Sequence, residues 1–188
     1  MNAMYSDNGI SGWMGADELI WLYEIARGME SIVEIGSWFG RSTHALLSGC
    51  SGTVYAIDTF KGSPYQIDGP HSFAKTGDVK AEFLKNVSNF KNLVTIEKES
   101  HVASIDFSDN SIDMIFIDGD HRYEFVKQDF DVWMPKCNKL FCGHDMNEEG
   151  VPQALKELGI PIINPVGCIW YLDYDFNYHT KGLTQWQM

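Results

Sequence analysis

The chain has 188 residues, 44% of them hydrophobic and 21% charged, which is room for one domain with a substantial core but not for two comfortable ones. Its 26 Asp and Glu against 14 Lys and Arg leave a formal net charge of −12, and that balance argues against nucleic acid, whose binders present a basic face. The sequence shows no apolar run of about 18 residues and no charged–apolar–small leader, so neither a membrane span nor a signal peptide is expected and a cytoplasmic protein is.

The expected organisation is an N-terminal arm over 1–15, a single domain over 16–175 and a C-terminal tail over 176–188. Within the arm, 9–15 carries Trp13 and Met14 among glycines, which reads either as a lid or as a packed strap. Residues 16–27 follow as a helix, with Leu19, Ile20, Tyr23 and Ala26 at helical spacing and Asp17 and Glu18 in the first turn, where carboxylates suit the dipole. The four cysteines, Cys50, Cys137, Cys142 and Cys168, have no Cys-x-x-Cys spacing and read as reduced thiols.

Next comes Ser31-Ile-Val-Glu-Ile-Gly-Ser-Trp-Phe-Gly-Arg-Ser-Thr43. Its first half is a β-branched apolar run, the pattern of a strand covered on both faces. Gly36 and Gly40 then lead into Ser42, Thr43 and an apolar helical stretch. Strand, glycine-containing turn and helix N-terminus together make a cradle where backbone approaches a ligand closely. Glu34 lies inside the apolar strand, where a carboxylate is costly unless hydrogen-bonded. Trp38 takes a position where the Gly-x-Gly-x-x-Gly dinucleotide fingerprint wants glycine.

A second apolar strand, 53–57, ends in Asp58, roughly 20 residues beyond Gly36, the separation at which an acidic residue meets ribose hydroxyls. The polar loop 61–77 is longer than an ordinary connection and favours a lid or substrate loop. A helix over 79–90, a strand over 93–97 and then Ser100 and His101 follow. A fully apolar strand over 112–117 runs into Asp118-Gly-Asp-His121. An amphipathic helix, 123–134, is stopped by Pro135. A strand over 140–142 ends at Gly143-His144-Asp145, a short helix spans 151–158, and 160–163 and 168–172 bracket Pro165-Val-Gly167 as a hairpin.

Strand–helix alternation with a terminal hairpin predicts an α/β fold, a doubly wound, mostly parallel Rossmann-like sheet with an antiparallel C-terminal edge. Ligands in such sheets bind beyond the carboxyl ends of the strands. Every polar cluster named above falls at such an end.

These residues resemble class I S-adenosylmethionine-dependent methyltransferases, and more narrowly the metal-dependent O-methyltransferases of sugars and other small molecules. The landmarks are Glu34–Thr43, Ala56-Ile-Asp-Thr-Phe60, Phe116-Ile-Asp-Gly-Asp-His121 and Gly143-His-Asp145. The resemblance implies that Glu34, Gly36 and Gly40 form the methionine-side cradle with Ser37 and Ser42. It implies that Asp58, with Thr59 beside it, binds the ribose, that Ser100 lies near the adenine, and that Asp118 faces the reacting methyl and binds the ion in metal-dependent members.

Methyl transfer needs an acceptor oxygen in line and a base to deprotonate it. His121, three residues past Asp118, is the natural base, and His144 competes for that role. Asp118, Asp120, Asp145, Glu148 and Glu149 crowd neighbouring strand ends and suit Mg²⁺ or Mn²⁺, with Asp118 and Asp145 as ligands and His144 as a third. The same residues also fit solvated acidic loops without metal. Expected partners are a small-molecule acceptor and, for the aromatic tail (Tyr174, Phe176, Tyr178, Trp186), a substrate pocket or a second copy of the chain, with no nucleic acid or membrane. Three rival classes stay open: a nicotinamide-dependent oxidoreductase, a non-haem iron oxygenase using His121 and His144, and a non-catalytic cofactor-binding protein.

Overall fold

The computed structural model describes residues 5–62 and 69–173. Seven strands are β1 (Ser31–Ile35), β2 (Thr53–Asp58), β3 (Leu93–Glu97), β4 (Ile112–Ile117), β5 (Cys137–Gly143), β6 (Ile162–Ile163) and β7 (Trp170–Leu172). The helices are α1 (Ala16–Ala26), α2 (Arg41–Gly49), α3 (Val79–Val87), α4 (Ser100–Ala103), α5 (Tyr123–Trp133) and α6 (Gly150–Leu158). The strands form one sheet in the order β3-β2-β1-β4-β5-β7-β6.

β1 to β5 are parallel, and β7 runs antiparallel to both β5 and β6. The expected hairpin therefore forms at the edge, with its second strand inserted against β5. Every residue of β4 is buried, as an unbroken apolar run requires when both faces are covered. On one face Leu19, Leu22, Leu46 and Phe83 pack over Ile32, Val54 and Met114. On the other, Val126, Phe130, Trp133 and Leu155 pack over Val33, Ile115 and Phe141. The chain order reverses between β1 and β4, so their loops diverge and open a crevice.

Element ends move a little from their sequence positions. α3 stops at Val87 rather than 90, and the Phe90 amide turns back to the Val87 carbonyl at 3.1 Å. β5 starts at Cys137 rather than 140. Of the loop 61–77, residues 69–75 form a 3₁₀ helix. Residues 63–68 of that loop, and the tail with Tyr174, Phe176, Tyr178 and Trp186, lie outside the described residues. No helix among the described residues is long and apolar enough to cross a membrane.

The N-terminal arm is strapped down, and Arg41 does the strapping. Its Nε donates to the Met14 carbonyl at 2.8 Å and its Nη1 to the Ile10 carbonyl at 2.6 Å and to Asp7 at 2.9 Å. Tyr5 adds a hydrogen bond to His44 Nδ1 at 2.7 Å. Met14 is buried, whereas Trp13 is 52% exposed, so the strap is packed at both ends and open in the middle.

Candidate active site

The turn after β1 is built by two carboxylates. Glu34 Oε2 accepts the hydroxyls of Ser37 and Thr43, which knits β1 to the start of α2. Asp58 Oδ2 accepts the backbone N–H of Ser37 at 2.9 Å and of Trp38 at 2.8 Å, and its Oδ1 accepts that of Phe60 at 2.7 Å. These bonds hold Gly36, Trp38 and Gly40 at φ of 87°, 46° and 86°. Only glycine enters that region without strain. Trp38 thus takes a left-handed turn that its sequence neighbours gave no reason to expect.

Burial pushes the Asp58 carboxyl up, and the Trp38, Phe60 and Ser37 amides pull it back. Burial raises Glu34 further, to about 7, against the Ser42, Thr43 and Ser37 hydroxyls. Glu34 Oε1 is buried without a hydrogen-bond partner among the described residues.

The ends of β4 and β5 are built differently. Asp145, at φ 65°, sits between two imidazoles: His121 Nε2 donates to its Oδ2 at 2.7 Å and His144 Nδ1 to its Oδ1 at 3.0 Å. His144 Nδ1 is also 3.6 Å from Asp118 Oδ1, and its Nε2 donates to Glu18 Oε1 at 3.0 Å. Burial disfavours the charged ring, yet Asp145, Glu18 and Asp118 raise His144 to about 11. Both ring nitrogens are engaged by carboxylates, Nδ1 by Asp145 and Nε2 by Glu18, which favours the protonated ring and leaves His121 the better-placed base.

Burial also opposes charge on His121, and Asp145, Glu148 and Asp120 outweigh it, raising its pKa above 6.5. Its Nδ1 has no hydrogen-bond partner among the described residues. Burial and the Asp145 charge push Asp118 well up. Asp145 is held well below the usual carboxylate range: against its own burial, His121 and His144 stabilise its charge. Asp118, His121 and Asp145 each offer a ligand atom, all within 4.8 Å of one another.

A cavity of about 750 Å³ joins these two ends across the sheet's carboxyl edge, a volume suited to a small ligand. Gly36, Ser37, Ser42, Asp58, Thr59, Ser100, Asp118, His121, His144 and Asp145 line it. Glu34 and Gly40 are absent from its wall: Glu34 lies beneath the turn, and Gly40 makes room for Val87 and Phe83 of α3. Both shape the cradle from behind rather than facing its contents.

Ser100 lines the cavity but its hydroxyl is occupied, donating to Asp129 and accepting from Trp133 Nε1 at 2.7 Å.

Among the lining residues that the sequence reading did not place in a site are Asp129 and Glu18. Asp129, buried and raised by that burial to about 7, occupies the 126–129–130–133 core stripe of α5, and a carboxylate in an apolar stripe was the available signal. Glu18, read as a dipole partner, accepts instead from Gly15 at 2.7 Å, Cys168 at 2.7 Å and His144. It ties α1 to the far side of the site.

Residues 33–140 match a family described as Methyltransferase domain. A curated Sinorhizobium fredii protein, "Uncharacterized protein y4gI", is 28% identical over 141 residues, which is 70% of this chain and 15% of that protein, so the chain spans only a small part of its relative. Among solved structures, an O-methyltransferase from Bacillus cereus in complex with SAH superposes with a TM-score of 0.60 at 16% identity, covering 85% of this chain and 82% of that one. A Geobacter sulfurreducens methyltransferase gives 0.57 at 16%, covering 85% and 78%. A precorrin 8W decarboxylase from Methanobacterium thermoautotrophicum gives 0.58 at 15%, covering 84% and 79%. At such identities the likeness is one of fold, and the decarboxylase shows that fold alone does not name a reaction.

Proposed function

This chain belongs to the class I S-adenosylmethionine-dependent methyltransferases through that methyltransferase-domain family, and from this premise we propose that it methylates a hydroxyl of a small molecule or sugar with a divalent metal ion assisting. The observation that carries the reading is the convergence of Asp118, His121 and Asp145 within 4.8 Å at one wall of the cavity. When bound, S-adenosylmethionine supplies a methyl group on a positively charged sulfur, and an acid-lined wall suits that charge. Gly36, Ser37, Ser42, Asp58, Thr59 and Ser100 would hold it.

Asp118 and Asp145 would hold the ion, two hard oxygens fitting Mg²⁺ or Mn²⁺. Its positive charge would favour loss of the acceptor's hydroxyl proton. His121 takes that proton at Nδ1, while Asp145 fixes its ring through Nε2. His144, clamped by Glu18, orients Asp145 from the other side.

The test is chelation. A protein stripped with EDTA and assayed in metal-free buffer is expected to lose turnover while calorimetry still finds S-adenosylhomocysteine bound, and Asp145→Asn is expected to reproduce this. Full rate after stripping would remove the metal and leave His121 as base alone.

A further inference from the structure

Behind the His144 ring, on the edge turned away from Asp145, three segments far apart in the chain bring together three different donors. Glu18 comes from α1, His144 from the end of β5 and Cys168 from the turn before β7, and all three line the cavity. A carboxylate oxygen, an imidazole nitrogen and a sulfur lie there within 4.8 Å of one another. Around a tetrahedral zinc ion with bonds of about 2.0–2.3 Å, ligand atoms stand roughly 3.3–3.7 Å apart, and the cluster has that reach.

The donors are held in place by their neighbours. The amides of Gly15 and Cys168 each donate to the Glu18 carboxylate at 2.7 Å. The Met146 amide donates to the Cys168 carbonyl at 3.1 Å, and Trp170 Nε1 donates to the His144 carbonyl at 2.8 Å. A side chain at Gly167 would overlap the Glu18 carboxylate, so glycine is what lets the Cys168 turn press against the acid. The His144 ring has the orientation of a ligating imidazole. Its Nε2 faces Glu18 while its Nδ1 donates to Asp145 at 3.0 Å, and a metal-bound histidine characteristically donates its other N–H to a carboxylate.

Softness separates this cluster from the acidic wall. Asp118 and Asp145 offer oxygen only, which suits Mg²⁺. Sulfur and imidazole nitrogen beside one carboxylate suit zinc. Charge matches as well. Without metal, Glu18, Asp118 and Asp145 favour a proton on the His144 ring. Zinc would replace that proton at Nε2 and the thiol proton of Cys168, so two positive charges arrive as two leave. Nδ1 keeps its bond to Asp145 throughout.

We propose that Glu18, His144 through Nε2, and Cys168 form a zinc site, separate from the Asp118–Asp145 pair, whose fourth position opens on the cavity. Three protein ligands with one open position leave zinc free to take a water or a donor atom of a bound molecule. The site does not depend on the methyltransferase reading, which uses the other edge of the ring.

The test uses the intact chain, stripped with EDTA and then held in metal-free buffer with saturating Mg²⁺ to fill hard-oxygen positions. Co²⁺ serves as the spectroscopic substitute for zinc. It is expected to bind once per chain with the strong near-ultraviolet sulfur-to-cobalt charge-transfer absorption of a thiolate ligand, and one equivalent of Zn²⁺ is expected to erase that absorption. Cys168→Ser is expected to remove the absorption and to weaken zinc by about tenfold or more, since even the outer partners of a ligand are worth about 10–100-fold. Asp118→Asn, on the other wall, is expected to keep the absorption. Circular dichroism checks the fold of each variant, and the unaltered chain by itself decides whether a thiolate ligates. Cobalt bound without the absorption, no cobalt bound at micromolar protein, absorption that survives Cys168→Ser, or absorption lost in folded Asp118→Asn would each overturn the site.

Discussion

At the β1–β2 end of the cavity, Glu34 and Asp58 accept from hydroxyls and backbone amides, whereas at the β4–β5 end Asp118 and Asp145 face imidazoles. Both ends bury carboxylates, and both must satisfy them. The amides and hydroxyls facing these carboxylates do not titrate, so although Glu34 itself is raised to about 7 the first end is held by fixed donors. Imidazoles do titrate, so the second end has protons to move. Under the proposed function a single sheet edge separates a holding half from a reacting half, and substitutions should divide the same way.

The sharpest division is expected of His121→Ala. Loss of the base should lower turnover by about 10²–10⁴-fold, with partial recovery as pH rises and the acceptor ionises unaided, while calorimetry finds S-adenosylhomocysteine affinity nearly unchanged. Under the proposed mechanism the base form of His121 is required, and Asp145, Glu148 and Asp120 raise its pKa above 6.5, so kcat/KM should rise with pH through that higher value. Asp145→Asn removes the partner and leaves the burial, so any residual activity should titrate at lower pH. An equal loss of cofactor affinity in His121→Ala would break the comparison.

Next comes Asp58→Ala, which frees the amides of Ser37, Trp38 and Phe60 at once. Charge-assisted hydrogen bonds contribute about 1.5–3 kcal/mol each, so cofactor affinity should fall about tenfold or more. Turnover at saturating cofactor should change far less. The opposite pattern, intact binding with lost turnover, would move Asp58 into the reacting half.

A smaller effect is expected of Glu34→Gln, on stability. Glu34 ionises at 4.5 when unfolded and at about 7 when folded, burial being the cause. The folded chain therefore holds a proton that the unfolded chain has lost between those values. Its contribution is complete below pH 4.5 and declines as pH climbs to about 7, by about 1–3 kcal/mol. Asp129 titrates over the same window in the same direction. Thermal denaturation from pH 5 to 7 should show Glu34→Gln with a flatter profile than the unaltered chain, and parallel profiles would mean that Glu34 is ionised throughout. Smallest of all is the response to DNA or RNA: with a net charge of −12, no salt-sensitive gel shift is expected at micromolar protein and physiological salt.

Much of the holding half could be read from the chain, because it is local. Ile32, Val33 and Ile35 announce a covered strand, Gly36 and Gly40 a turn, and Asp58 the end of the next strand. What could not be read was direction. Nothing in the sequence says that Gly40 faces α3, or that Asp58 meets backbone amides before any ligand does.

The reacting half was legible as a list of residues but not as a network. His144 and Asp145 stand next to Asp118 because β4 and β5 are neighbours, which the alternation predicts. Glu18 meets His144 across 126 residues, and no local pattern encodes that. Ser100 was placed by resemblance, and its hydroxyl is taken up by Asp129, a residue that only its odd position in an apolar stripe could have flagged.

Gly36 joins the halves. A side chain there would overlap the carbonyl of Asp118, so the end of β1 and the end of β4 touch through bare backbone. On the strap and α5, Trp13 and Phe125 line the cavity while exposed, so that part of the wall can change without disturbing the core. The span from cofactor cradle to reacting carboxylates is set by main chain that admits no substitution at its point of contact. Laboratory libraries aimed at new acceptors should accordingly recover changes at 13 and 125 and return glycine at 36 every time.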